Sequence, residues 1–174
     1  LWTASLHGHQ HVMRTLLEAK ANPNSHQEGR SKEPLLAAAC LSIHPHVVDT
    51  LLEYGADVDV RDEEGRTPLA SICTSFRERC ANAQRLLNAG ADINAADSLQ
   101  QTPLMYACYH QHEGLVKLLL DNKADVTCRS VKNDTAYAYA VRPYATAMSF
   151  TGASFSARRR GVVKMLVEAH TPAS

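Results

Sequence analysis

No charge of either sign dominates this 174-residue sequence: eighteen Lys and Arg stand against eighteen Asp and Glu. A general nucleic-acid binder carries a basic surplus, so nucleic acid is not an expected partner, although a neutral total is compatible with a local basic patch. Long apolar runs are missing as well. None approaches the roughly 18 residues needed to cross a bilayer, and nothing at the start resembles a signal peptide. Insertion into a membrane is therefore not expected. The five cysteines (Cys40, Cys73, Cys80, Cys108 and Cys128) are odd in number and include no CxxC pair. That argues against a disulfide framework and for reduced thiols in a cytoplasmic or nuclear setting. A Gly-rich phosphate loop, GxSxG and HExxH are all absent, which removes the commonest phosphate, serine-hydrolase and zinc-protease signals.

What is present is a folded composition, 45% apolar and 21% charged, and a strong internal repeat. GRTPLA begins at Gly65 and QTPLM at Gln101. Thr67 to Thr102 is 35 residues, and Thr102 to Thr135 is 33. Stepping back 34 from Pro68 reaches Pro34 in EPLLAAA. A second phrase keeps the same beat: LLEAKANPN from Leu16, LLEYGADVDV from Leu51, LLNAGADIN from Leu86 and LLDNKADVT from Leu119. Each copy carries the signals of two short helices. Thr67-Pro68 and Thr102-Pro103 open the first: the hydroxyl caps a free N–H, and proline tolerates the first helical position. Leu104, Ala107 and Cys108 form its buried stripe, and Leu115, Val116, Leu118 and Leu119 that of the second. Gly55 and Gly90 stop the second helix in a left-handed conformation. Lys20 and Lys123 replace that glycine at a cost of about 1 kcal/mol each. Two short helices cannot bury their stripes alone, so each copy needs neighbours.

These residues resemble the ankyrin repeat, whose pattern runs D-x-x-G-x-T-P-L-H-x-A-A and continues to L-L-x-x-G-A-D-V-N. The resemblance covers nearly the whole chain and implies an all-α solenoid of stacked helix-turn-helix units with hairpin fingers. Five copies are expected in a single array over 1–174, at about 1–26 (partial), 27–60, 61–96, 97–129 and 130–170. Leu1-Trp2 sits where the L-H of T-P-L-H belongs, so the chain is expected to be part of a longer protein, with a finger or more repeats upstream. Three departures stand out. Glu33 replaces the capping threonine of the second copy. The inter-helix loop of the third is longer by two residues. The fifth carries about fourteen extra residues within 142–160, read as a loop or an extended first helix plus loop. Because Tyr144, Met148, Phe150 and Phe155 are too many large side chains for a spacer, part of this insert is expected to cap the array over Val162, Val163 and Leu166, the alternative being a partner-binding arm. Arg158–Arg160 would form a solvated rim.

Histidine is the residue that invites a metal or catalytic reading: His7, His9 and His11, then His44/His46 and His110/His112. A metal site needs three or four ligands converging at about 2 Å. The competing reading follows from the resemblance, which places histidine at His9, His44 and His112 to bond backbone between loops. No metal, cofactor or catalytic residue is expected. Cys73 and Cys108 fall at the small A-A position and are expected to be inert core thiols. Asp57, Asp92 and Asp125 recur at repeat spacing as turn formers. Asn94 matches the asparagine that hydroxylases modify in many ankyrin repeats, with Leu87 seven residues before it; modification there is implied by resemblance alone.

The resemblance further implies a protein-interaction module, a scaffold or adaptor, binding a protein or extended peptide on its concave face. The alternative is the targeting or substrate-recruiting arm of a larger enzyme whose catalytic domain lies outside the chain. Mapped onto this sequence, the binding positions are Arg30, Lys32, Glu63, Glu64, Arg66, Ser98, Leu99, Gln101, Lys132 and Asn133 from the fingers. The first helices and their ends add Leu6, His7, Leu41, Thr74, Ser75, Tyr109, His110, Val141, Arg142 and Tyr144. Leu99, Tyr109 and Tyr144 are expected to be exposed anchors without a core role. Basic residues flank the surface with Glu63 and Glu64 between them, which suits a peptide with an acidic residue near each end.

Overall fold

The computed structural model describes residues 1–27, 32–142 and 152–170, with side chains at 152–156 and 170 left out of the description. Ten helices follow one another among these residues, in five pairs: α1 (Trp2–Leu6) with α2 (Gln10–Glu18), α3 (Leu35–Leu41) with α4 (Pro45–Glu53), α5 (Pro68–Thr74) with α6 (Cys80–Asn88), α7 (Pro103–Tyr109) with α8 (Glu113–Asp121), and α9 (Ala136–Val141) with α10 (Gly152–His170). The only β pairing described is an isolated bridge between His26 and Pro34. No described helix is long and apolar enough to cross a membrane.

The pairs stack as two ladders, α1 on α3 on α5 on α7 on α9, and α2 on α4 on α6 on α8 on α10. One continuous core runs between the ladders, from Ala4 and Met13 at one end to Val162 and Leu166 at the other. First helices sit between two neighbours and their own second helix, so they are buried almost all round. Every residue from Leu35 to Cys40 and from Pro68 to Cys73 is buried. Small side chains such as Ala37, Ala39, Ala70 and Ala107 let these helices approach one another, and large ones such as Leu36, Leu69 and Leu104 fill the space toward the second layer.

Helix ends follow the sequence signals with two differences. Thr67 caps α5 by accepting the Ala70 N–H at 3.4 Å, whereas the Thr102 hydroxyl makes no cap bond. The helix with Glu33 before it starts at Leu35 behind Pro34 and has no side-chain cap. Gly55 and Gly90 adopt φ of +80° and +89°, and Lys20 and Lys123 are held at +65° in the same position, a conformation that costs a residue with a Cβ about 1 kcal/mol.

The fifth copy corrects the expectation for its insert. Residues 152–160 are helical and continuous with the second helix, giving a 19-residue α10. The extension therefore belongs to the second helix and not the first. Val162 and Leu166 are buried and Val163 half-buried where α10 meets α8 and α9; the part of the insert expected to cap them lies largely outside the described residues. Arg158 and Arg160 are exposed. Tyr144, Met148 and Phe150 lie outside the described residues, as does the Phe155 side chain.

Candidate partner-binding surface

Fingers are built from Asx turns. Asp62 Oδ1 accepts the Glu64 and Arg66 N–H groups at 3.0 and 2.8 Å. Asp97 Oδ1 does the same for Leu99 and Gln101, both at 2.8 Å. Successive fingers are stitched together, Ser98 N–H donating to the Glu64 carbonyl at 3.1 Å and Val131 N–H to that of Leu99 at 3.0 Å. Further back, a second ladder joins the copies. The Asp57 N–H donates to Asn24 Oδ1 at 2.7 Å, Asp92 N–H to Asp59 Oδ2 at 3.0 Å, and Asp125 N–H to Asn94 Oδ1 at 2.9 Å. Asp57, Asp92 and Asp125 each accept an N–H two residues on, the turn role expected of them.

At the other end of the first helices, one side chain per step reaches back to the preceding copy. His46 Nε2 lies 3.1 Å from the Gly8 carbonyl and His112 Nε2 2.8 Å from that of Ser75. In the third copy Arg79 occupies the histidine's place and donates to the Leu41 carbonyl. His46, not His44, makes the bond in the second copy. The His44 ring instead covers Gly8, where a Cβ would come within 2.6 Å of it. His11 and His46 lie in the first turn of second helices, not between the helices. Among the described residues no group of three His, Cys, Asp or Glu side chains could hold a metal ion. Burial pushes the Cys40, Cys73 and Cys108 thiols well above their ordinary range, which makes them poor nucleophiles.

On the face formed by fingers and first helices, two adjoining solvent-open depressions of about 350 and 340 Å3, the second the shallower, share Glu33 and Leu41. The first is lined by Glu33, Leu41, Asp62, Glu63, Glu64, Arg66, Ser71 and Thr74. The second runs along Leu6, Ala38, Leu41, Ser42 and Ile43. Arg66 is engaged twice, by Asp62 at 2.8 Å and Glu64 at 2.9 Å. Lys32 stands 3.9 Å from Glu63. Four carboxylates thus face two cations. Burial raises the Glu33 carboxyl above its usual range, the Asp62 charge adds to this, and Arg66 offsets it in part.

The fourth and fifth copies present a different surface. Gln101 Nε2 donates to the Tyr139 hydroxyl at 3.0 Å, and Tyr106 donates to Asp97 Oδ2. Arg142 pairs with Asp134 at 2.6 Å and lies 5.3 Å from the Tyr139 ring centre. Tyr109 is half-buried against the core and meets Tyr139 edge-on; it is not the exposed anchor expected from sequence. His110 is half-buried too, and burial, with His112 adding to it, pushes its pKa down to about 4. Between that value and the unfolded one near 6.5, the unfolded chain binds a proton that the folded chain refuses. Stability should therefore fall as pH drops from about 6.5 toward 4. Thermal melts at pH 7.5 and 5 measure the slope, and His110→Asn should flatten it; an equal slope in the variant would contradict the assignment.

Of the other mapped positions, Leu6, His7, Lys32, Glu63, Glu64, Ser98, Leu99, Lys132 and Asn133 are exposed. Leu41, Thr74, Ser75, Gln101 and Val141 are half-buried. Arg30 and Tyr144 lie outside the described residues. Asn94 is half-buried, its side-chain oxygen engaged as described. Two residues went unsingled in the sequence reading. Phe76 is 92% exposed and Ile43 78%. Both follow the serine after a first helix (Ser42-Ile43, Ser75-Phe76), a register signal that was available.

A family model described as ankyrin repeats in three copies matches residues 1–97 and 72–147. The chain belongs to the ankyrin-repeat family. Ankyrin repeats are in general protein-interaction modules, and the all-helical ladders described above are the architecture of such an array. Among curated proteins, no sequence matches this ankyrin chain.

Proposed function

We propose that this ankyrin array is a scaffold or adaptor that binds a protein or extended peptide across the concave surface of its fingers and first-helix ends. The observation that carries this reading is a row of apolar side chains with no packing duty. Leu6, Ile43 and Phe76 stand exposed at the first-helix ends and following turns of three successive copies, and Leu99 and Val131 at the finger tips. The second helices expose Val12 and Val167 singly and carry inter-copy ion pairs, Arg14 with Glu53 and Arg85 with Asp49. A monomer gains nothing from such a row, whereas a partner that covers it removes apolar surface from water.

The test is selection of binders from a random peptide display library, followed by Ile43→Ser/Phe76→Ser. Affinity should fall by about 1–3 kcal/mol, while the melting temperature stays put because both sites are exposed. Binders indifferent to the double variant, and to Leu99→Ser as well, would place recognition elsewhere.

A further inference from the structure

The finger-side cavity has a chemistry of its own. Glu33, Asp62, Glu63 and Glu64 surround it, and the Glu33 carboxylate has no ion-pair partner among the described residues. Ser71 on the cavity wall is only 7% exposed, yet its hydroxyl makes no hydrogen bond to any described residue. Its hydroxyl is open to the cavity, where a ligand's donor can replace the water that otherwise satisfies it. With Asp62 and Glu64 engaged by Arg66, the Glu33 and Glu63 carboxylates remain as acceptors, and the Ser71 hydroxyl can accept as well as donate. Arg66, the one cation among the described wall residues, is already spent on Asp62 and Glu64. What fits is a group that only donates.

From this we infer that the cavity receives an arginine side chain from an extended segment of the partner, whose aliphatic residue about three positions away lies against Leu6, Leu41 and Ile43. The inference rests on the reading of this face as a protein-binding surface and adds the partner's chemistry. Guanidinium offers five N–H donors and no acceptor, and it gives up water more readily than ammonium does. A cation beside Glu33 would offset, by its opposite charge, the burial and like-charge repulsion that hold its carboxyl up. The spacing comes from the stack. The two cavities belong to neighbouring copies, whose helices lie about 8–10 Å apart, and an extended chain covers that distance in about three residues.

The experiment uses the whole chain and N-acetylated octapeptides with one arginine and one leucine three positions apart in a Gly/Ser background. Amide resonances followed by NMR titration should shift for Glu33, residues 62–66 and Ser71. Replacing the peptide's arginine by citrulline, neutral and of the same shape, should lower affinity at least tenfold. Glu33→Gln/Glu63→Gln should do the same to the arginine peptide, and Lys117→Gln on the exposed side of α8 should not. Equal binding of the citrulline peptide, no binding of the arginine peptide, or an affinity untouched by the double glutamine variant overturns the inference. The peptide arm is independent of any change in folding. Display-selected binders that map to this face but contain no arginine also overturn it, and leave the interaction surface standing; binders that map to another face sink both.

Discussion

Asp97→Ala should destabilise the array by about 3 kcal/mol or more, since hydrogen bonds to a charged group contribute about 1.5–3 kcal/mol each. Asp97 is 5% exposed, and its carboxylate accepts the Leu99 N–H, the Gln101 N–H and the Tyr106 hydroxyl. Alanine leaves all three donors behind. Asparagine keeps an oxygen for the two backbone groups, so Asp97→Asn should cost clearly less. The same turn presents Leu99 and aims Gln101 at Tyr139, so the alanine variant should also weaken any partner that reaches the fourth finger. Urea unfolding of both variants measures the difference, and equal losses would show that the carboxylate is not what organises the finger.

Leu86→Ala is expected to cost about 2–5 kcal/mol, the range for emptying a fully buried leucine site. Leu86 is 0% exposed and lies on α6, which packs against α4, α5 and α8. Stability in a stack is a sum of repeat and nearest-neighbour terms. A loss in the third copy therefore weakens the coupling of the copies on both sides of it. The unfolding transition should move to lower denaturant and lose sharpness, because the two flanks become free to unfold apart. A shift corresponding to less than about 1 kcal/mol would mean that neighbours collapse into the space, and the core is softer than its burial indicates.

Legibility in the sequence followed the range of the interaction. Helix starts at Pro68 and Pro103, stops at Gly55 and Gly90, and the strained lysines that replace two such glycines were readable because caps and left-handed turns are decided by a few consecutive residues. So were Asp57, Asp92 and Asp125, whose partners lie two positions away. The inert cysteines followed from their place in a repeated motif. Residue type at a repeat position also suggested the exposed fingers, and Glu63, Glu64 and Leu99 are indeed exposed.

By itself, the sequence determined the family, the period of the stack and the direction of its helices, because a repeat writes its own packing instructions into every copy. The tertiary structure alone decided what each surface residue has left to offer. Tyr109 lost its freedom to Tyr139, Arg142 its charge to Asp134, and Arg66 its charge to Asp62 and Glu64. Asp62 is the aspartate of the repeat pattern and, like Glu64, a near neighbour of Arg66 in sequence, whereas Tyr139 comes from the next copy and is not announced by the pattern. Residues 152–160 of the fifth copy are helical and continuous with the segment whose Val162 and Leu166 are buried against α8 and α9. Whether a side chain is spent or available depends on neighbours that folding brings up from another copy, or from the other end of the same one. That is a property of the stack and not of the motif.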